Sequence, residues 1–390
     1  MTMKKTFAEF FAGIGLMRMG LELGGWEILF ANDIDEQKKE MYSANFPDAE
    51  RHFLLGDIHK IPVNKVPTVA LATVSFPCND LSLAGAREGL DGENSSAFWG
   101  FIKIIRNMKE RRPPLLLIEN VPGFLSSNEG RDFEDAMLAL NDLGYTVDPL
   151  ILDAARFVPQ SRQRLFVVCL KQDPTAAAEI HEHFFQSITR PESLADFVFS
   201  HPDINWRIRK LPEPPHRRKK LDGILEDLPE SSEKWWSDDR AVYLLNQMSQ
   251  KHRAIADRMI AGDDWSYGTV FRRVRKNRSM AELRTDGIAG CLRTPRGGSG
   301  RQILFKAGKG EYHVRLVTPR ECARLMGADN FKIKAETNQA LFGFGDAVCV
   351  PAVRWIAENY LNPVWNELYA TENTEPKVAK AVSYRKAVHA

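Results

Sequence analysis

Four side chains able to do chemistry stand where apolar runs begin or end. Cys78 comes four residues after the run at 69–74, and Pro77 between them removes a backbone donor, so a strand would stop there. The run is short and β-branched enough to be a buried strand. Its thiol would then lie at a strand's carboxyl end, the edge of an open α/β sheet where ligands bind. Taken alone, Cys78 could equally be a small buried hydrophobe. Two more stretches change the balance. Glu119 and Asn120 end the run at 115–118, with Pro122 behind them, and Arg162 and Arg164 precede the run at 165–169, sharing one side if that segment is extended. A nucleophile, an acid and two cations are thus offered by three separate strand ends.

The elements that must position them read as alternating strands and helices. A strand ending at Phe11 leads through Ala12-Gly13-Ile14-Gly15 into a helix from Leu16, with Gly24-Gly25 closing it. Strand, glycine turn and helix form a nucleotide-binding unit, in which the glycines let a ligand approach the backbone at the helix's positive end. A dinucleotide fingerprint would have a third glycine where Arg18 stands. The second strand ends at Asn32-Asp33-Ile34-Asp35. Asp33 lies about 20 residues beyond the turn, placed to accept hydrogen bonds from ribose hydroxyls. Asp35 is expected to cap the next helix, and Asp57 reads as a turn residue. Residues 82–96 form a loop with three glycines, longer than the roughly 12 residues that an idle loop usually has. Phe98, Phe101, Ile102 and Ile105 give the next helix a face for packing. The alternation continues to about 171 and predicts an α/β fold with a doubly wound, mostly parallel sheet.

Composition bounds the rest. A chain of 390 residues, 44% hydrophobic, can bury one large core with a smaller second domain. No apolar run approaches the ~20 residues needed to span a bilayer, and 1–5 lead straight into a strand, so a cytoplasmic location is expected. The five cysteines are scattered without metal or disulfide spacing, so no metal is expected. The net charge of +2 hides an asymmetry: residues 201–320 hold 25 Lys+Arg against 15 Asp+Glu, and the remainder 28 against 36. That stretch has proline clusters, basic runs including Arg272-Arg273, and four tryptophans. It is expected to be a separate irregular domain whose cations contact phosphates. The stretch from Arg293 through Arg296-Gly297-Gly298 to Arg301-Gln302 reads either as a flexible hairpin end or as a loop entering a groove with side chains on base edges.

The proline-cysteine, glutamate-asparagine-valine and glutamine-x-arginine-x-arginine stretches resemble the motifs of the DNA (cytosine-5)-methyltransferase family, and the resemblance covers most of the chain. It implies a Rossmann-like S-adenosylmethionine-dependent methyltransferase with a smaller target-recognition domain. The expected divisions are 1–180 catalytic, 181–314 target recognition, 315–365 joining helix and return, and 366–390 disordered tail. Cys78, Glu119, Arg162 and Arg164 become the expected catalytic set. S-adenosylmethionine contacts are implied for Phe11, Gly13, Ile14, Gly15, Leu16, Asp33, Ile34, Asp57, Ile58, Pro77, Asp346 and Ala347. DNA contacts are implied for Ser82, in the loop that closes over the target base, and for Arg272, Arg273, Arg293, Arg296, Gly297, Gly298 and Arg301. The segment at 315–327 matches the family's joining helix, with Pro319 in its first turn and Thr318 as its cap. Leu16, Asn79, Leu81 and Asp346 depart from the family's usual residues.

The chemistry suits carbon 5 of cytosine, a poor nucleophile until a thiolate adds to carbon 6. A protonated Glu119 would stabilise charge at ring nitrogen 3, which needs a pKa raised by burial. Arg164 would orient the carbonyl and favour the thiolate. The base must flip out of the duplex. Expected partners are double-stranded DNA and a cognate restriction endonuclease, with the protein a monomer. An RNA cytosine methyltransferase would share these motifs but not the long basic middle region. An inactive DNA-binding scaffold would not need Cys78, Glu119 and Arg164 together, and an oxidoreductase is disfavoured by Arg18.

Overall fold

The computed structural model describes residues 4–77, 96–172, 187–275, 278–294 and 300–370. Cys78, Ser82, Arg296, Gly297 and Gly298, together with the tail from 371, lie outside the described residues.

Among the described residues, seven strands form one sheet: β1 (Thr6–Phe10), β2 (Glu27–Asp33), β3 (Phe53–Leu55), β4 (Leu71–Val74), β5 (Leu115–Asn120), β6 (Tyr145–Asp153) and β7 (Gln163–Lys171). Their order is β3-β2-β1-β4-β5-β7-β6. The first five are parallel, while β7 runs antiparallel between β5 and β6. Every residue of β1, β4 and β5 is buried, as expected of strands covered on both faces. Side chains of β1 alternate between two cores, Phe7 going to one and Ala8 and Phe10 to the other. The first core is covered by α1 (Leu16–Leu23) and α2 (Glu36–Asn45), and the second by α3 (Ser96–Asn107) and α4 (Arg131–Asp142). The doubly wound sheet is therefore present, and the α3 face serves packing alone: Phe98, Phe101, Ile102 and Ile105 are all buried. Asp35 caps α2 as expected, accepting from Lys38 N at 3.1 Å. Strand order reverses beside β1, so the carboxyl ends of β1 and β4 flank the switch point, where ligands of such sheets sit.

The middle region is more regular than its composition suggests. After α5 (Glu192–Ser200) comes a stretch without extended helix or strand, and then α6 (Asp238–Asn246) and α7 (Gln250–Ile260). These pack on a four-stranded antiparallel sheet of β8 (Ser266–Arg275), β9 (Arg278–Arg284), β10 (Ile303–Gly308) and β11 (Glu311–Leu316), in order β11-β10-β8-β9. The expected irregular domain is thus corrected to an irregular lead-in followed by a sheet with its own core. The arginines of β8 and β9 hid it, because they break the apolar alternation by which a strand is recognised. The catalytic core also extends past 180: Leu194, Val198 and Trp206 pack into it, as do Leu221 and Ile224.

The chain then returns through α8 (Pro319–Leu325), α9 (Thr337–Asp346), α10 (Val350–Ile356) and α11 (Asn362–Ala370). Thr318 caps α8 in a capping box with Glu321, and Pro319 occupies the first turn. By length and composition alone the stretch Thr337–Tyr369 is apolar enough to cross a membrane. It is interrupted at 347–349 and mostly buried in the fold, so its apolarity is that of core helices. A Cβ on Gly20 would come within 2.5 Å of Val353 Cβ, so α1 and α10 approach closely only because that residue is glycine. α11 runs five residues into the expected tail, with Val364 and Trp365 buried.

Joining the small sheet to α8 is a buried ion pair. Arg315, in β11, donates to Glu321 at 2.7 and 2.5 Å, and both side chains are at most 1% exposed. Removing one partner leaves the other charge buried and unpaired. Glu321→Ala is therefore expected to lower unfolding free energy by about 3–5 kcal/mol, read by denaturant titration, whereas a surface pair would cost below ~1 kcal/mol.

Candidate active site

Glu119, the last residue but one of β5, is 6% exposed, and Arg164 Nε lies 3.0 Å from its Oε1. Burial raises the Glu119 pKa, opposed by Arg164, by Arg162 and by a hydrogen bond with Ser75. The raised direction is the one that an acid protonated near neutral pH requires. Asn120 holds the adjacent strand end: its Nδ2 donates to Phe76 O at 3.3 Å, and its Oδ1 accepts from Val121 N at 2.8 Å. The backbone at Phe76 and Pro77, the lead-in to Cys78, is thereby tied to the strand that carries Glu119.

Arg162 takes a different position from Arg164. It is 2% exposed; Nη1 donates to Leu292 O at 2.8 Å, and Nη2 donates to Gly345 O at 2.9 Å and to Ala347 O at 2.5 Å. Those carbonyls use up the ends of its guanidinium, so Arg162 positions the returning chain while Arg164 faces the acid. Burial lowers the Arg162 pKa, with Arg164 adding to the effect. Gln160 works alongside, donating to Leu325 O at 2.7 Å and accepting from Leu292 N at 3.1 Å.

Cys291 was missed by the sequence reading. Arg162 Nη1 lies 3.4 Å from its Sγ. Burial works against ionisation, yet Arg162, Arg164 and Arg293 together draw its pKa down. Its neighbours in sequence gave no signal, because the three cations arrive from distant segments.

At the switch point, Phe11, Gly13 and Gly15 all have positive φ, of 57°, 55° and 85°. A Cβ on Gly15 would meet Phe46 at 2.3 Å, so that glycine serves the packing of α2. At Gly13 the nearest atom would be a carbonyl 4.0 Å away, leaving open space beside the turn. Asp33 accepts Gly13 N at 2.7 Å and Asp35 N at 2.9 Å, and burial raises its pKa. Ile34 beside it is 66% exposed, an apolar surface at a polar edge. Lys38 bridges to Asp346 at 2.8 Å; burial opposes its charge, but Asp346 and Asp33 prevail and raise its pKa. Asp57 caps a short turn through His59 N at 2.9 Å, as the residue-level reading expected. Ile14, Leu16 and Ile58 are buried in the cores, so they reach a ligand only through backbone. Ala347 gives its carbonyl to Arg162. Arg18, which broke the dinucleotide pattern, is buried and bridges to Glu22 at 2.7 Å and to Asp48 at 2.9 Å.

On the second sheet Arg272 is half-buried, while Arg273 and Arg293 are exposed. Arg301 donates to Asn338 in α9 at 2.6 Å. Arg240, which lies in no basic run, stacks 3.9 Å over Trp236; its pKa is lowered by burial and then by Arg272 and Arg301. Three guanidinium groups from separate elements are close enough to disfavour one another's charge, a surface suited to a polyanion.

A doubly wound sheet with β7 reversed between β5 and β6, and with an open glycine turn and a buried acid at its switch point, defines an S-adenosylmethionine-dependent methyltransferase. Residues 5–362 match the family described as C-5 cytosine-specific DNA methylase, and the chain belongs to it. It is a DNA (cytosine-5)-methyltransferase with S-adenosylmethionine as methyl donor and DNA as partner. The type II methyltransferase M.HhaI of Haemophilus parahaemolyticus is 27% identical over 360 residues, 90% of this chain and 93% of that protein. M.DsaV of Dactylococcopsis salina is 28% identical over 359 residues, 91% and 86%. The crystal structure of S. pombe Dnmt2 methyltransferase shares the fold, with TM-score 0.60, 18% identity, and coverage of 95% of this chain and 100% of that one.

Glu9 in β1 is buried, accepts the Arg18 backbone N–H, and leaves Oε2 without a partner. Burial pushes its pKa up to about 8, against Arg18. The folded protein therefore keeps a proton that the unfolded chain releases above its ordinary value of 4.5, and stability contributed below that value is lost as pH rises through about 8. Glu9→Gln removes this loss. Its unfolding midpoint is expected to gain on the wild type between about pH 5 and about pH 9, measured by denaturant titration.

Proposed function

We propose that this chain methylates cytosine within a short specific sequence of duplex DNA, as the modification enzyme of a restriction-modification system. The observation that carries the mechanism is the buried Glu119 held by Arg164, one strand from the Pro77-Cys78 step. Cys78 is the nucleophile: its thiolate bonds to carbon 6 of a flipped-out cytosine while Glu119 gives its proton to ring nitrogen 3, so the ring becomes an enamine with electron density on carbon 5. Arg164 orients the base's carbonyl and stabilises the carboxylate that remains. Arg162 positions and does not touch the base. Bound at the switch point, S-adenosylmethionine supplies the methyl group. The open turn at Phe11–Gly15 would hold it, with Asp33 on its ribose, Ile34 and Asp57 at its adenine, and Ile58, Pro77, Asp346 and Ala347 around it. A base then takes the carbon 5 proton, the thiolate leaves carbon 6, and the proton on ring nitrogen 3 returns to Glu119.

Arg272, Arg273, Arg293 and Arg301, joined by Arg240, bind the duplex, along with Ser82, Arg296, Gly297 and Gly298. Flipping costs a few kcal/mol, which these contacts offset. The naming of the relatives as type II methyltransferases supports an endonuclease partner that cuts the same site. The chain acts as a monomer in the cytoplasm, two domains clasping one duplex.

Methyl transfer from labelled S-adenosylmethionine to unmethylated duplex DNA, run beside total tRNA, with bisulfite sequencing of the DNA product, tests this. Label in DNA at one recurring sequence is expected; label only in tRNA would overturn the substrate. Cys78→Ala should abolish transfer while keeping S-adenosylmethionine binding, and Glu119→Gln should lower kcat about 10²–10⁴-fold.

A further inference from the structure

A cavity of about 570 Å³ opens at the carboxyl edge of the large sheet, within the size range of small-ligand pockets. It lies beside the acid cluster without including it. Pro122, three residues beyond Glu119, and Gln163, immediately before Arg164, line it, and Gln163 pairs directly across from Asp153 of β6. Nothing in the reaction described above uses this space.

Its lining is built for an anion. Arg156 and Arg217 reach it from separate segments, and each has a buried Nε without a hydrogen-bond partner. One terminal nitrogen of each is anchored: Arg156 Nη2 to Pro214 O at 2.6 Å and to Glu213 at 3.0 Å, and Arg217 Nη1 to Ala155 O at 3.3 Å. Both guanidinium groups line the cavity, where an incoming anion would meet their charge. The one acid in the lining, Asp153, is neutralised in part by the Ala155 and Arg162 amides, at 3.0 and 2.9 Å from its Oδ1. Pro122 and Ile188 share the lining with the cations, Ile188 being 51% exposed. Cations and apolar side chains in one lining offer partners both to the phosphate and to the sugar or base of a nucleotide.

We propose that this cavity receives a nucleotide of the DNA strand that carries the target cytosine, its phosphate on Arg156 and Arg217 and its sugar or base against Pro122 and Ile188. The proposal rests on the reading that the chain acts on a flipped base in duplex DNA. A captured neighbour would hold the distorted strand open beside Glu119.

The test uses the full chain and a fluorescent duplex of the sequence that the wild type methylates. Arg156→Gln and Arg217→Gln remove the cations, and Ser193→Trp, at an exposed lining position, fills the space without changing charge. Each variant should weaken duplex binding at least about fivefold at about 0.1 M salt, and each arginine variant should lower the slope of log affinity against log salt by about 1. Affinity for S-adenosylmethionine should stay at the wild-type value in all three, as should the melting temperature in Ser193→Trp. Wild-type affinity in Ser193→Trp, whatever the arginine variants do, overturns the cavity as a nucleotide site, as does a uniform wild-type result. A wild type that methylates no DNA overturns the parent reading instead, so the two failures are distinguishable.

Discussion

The burial of Arg162 is the constraint on which the rest of the site depends. A guanidinium taken out of water is costly unless most of its donors are met. Here both terminal nitrogens are met by carbonyls of Leu292, Gly345 and Ala347, 130 to 185 residues further along the chain, while Nε has no partner. One side chain thereby fixes the return from the second sheet and the end of α9 against the edge that carries Glu119. Its neighbour Arg164 is left to serve the acid. Two arginines with the same sequence signature divide because Arg162 reaches the carbonyls of the returning chain, whereas Arg164, hydrogen-bonded to the carbonyl of its own neighbour Gln163, turns Nε to Glu119.

Charge is handled the same way elsewhere, by connection across distant segments. Arg315 and Glu321 join the small sheet to α8, Lys38 and Asp346 join α2 to the end of α9, and Arg18 joins α1 to the segment before β3 through Asp48. Each pair lets a polar group lie in or near a core and thereby fixes the register between elements. Glu9 departs from this pattern, with one carboxyl oxygen unmet in the strand that feeds the glycine turn. It remains tolerable as a protonated acid, which is what its raised pKa expresses.

Much of this was legible in the sequence where the cause was local. The buried runs of β1, β4 and β5, the Asp35 and Thr318 caps and the glycine turn each depend on neighbours within a few residues. The insertion of β7 between β5 and β6 was not legible, because pairing order is set by contacts across the sheet. Arg240 and Cys291 escaped for the same reason: their surroundings are assembled from segments tens to hundreds of residues apart. The second sheet escaped differently. Its strands carry arginines where apolar residues would have declared a strand, so the composition that suits a polyanion hid the structure presenting it.

The close approach of α1 to α10 bears on how the chain comes to fold. Val353 occupies the space left by Gly20, Trp26 Nε1 donates to Asn362 Oδ1 at 3.0 Å, and Trp365 packs edge-on to Trp26 at 5.7 Å. The first helix of the nucleotide-binding unit thus lacks part of its core until residues more than 300 positions later have been synthesised. Contacts so distant form late, since the intervening chain must first be gathered in. A ribosome stalled before α10 would release a chain bearing the acid and both arginines but with its donor-binding half unfinished.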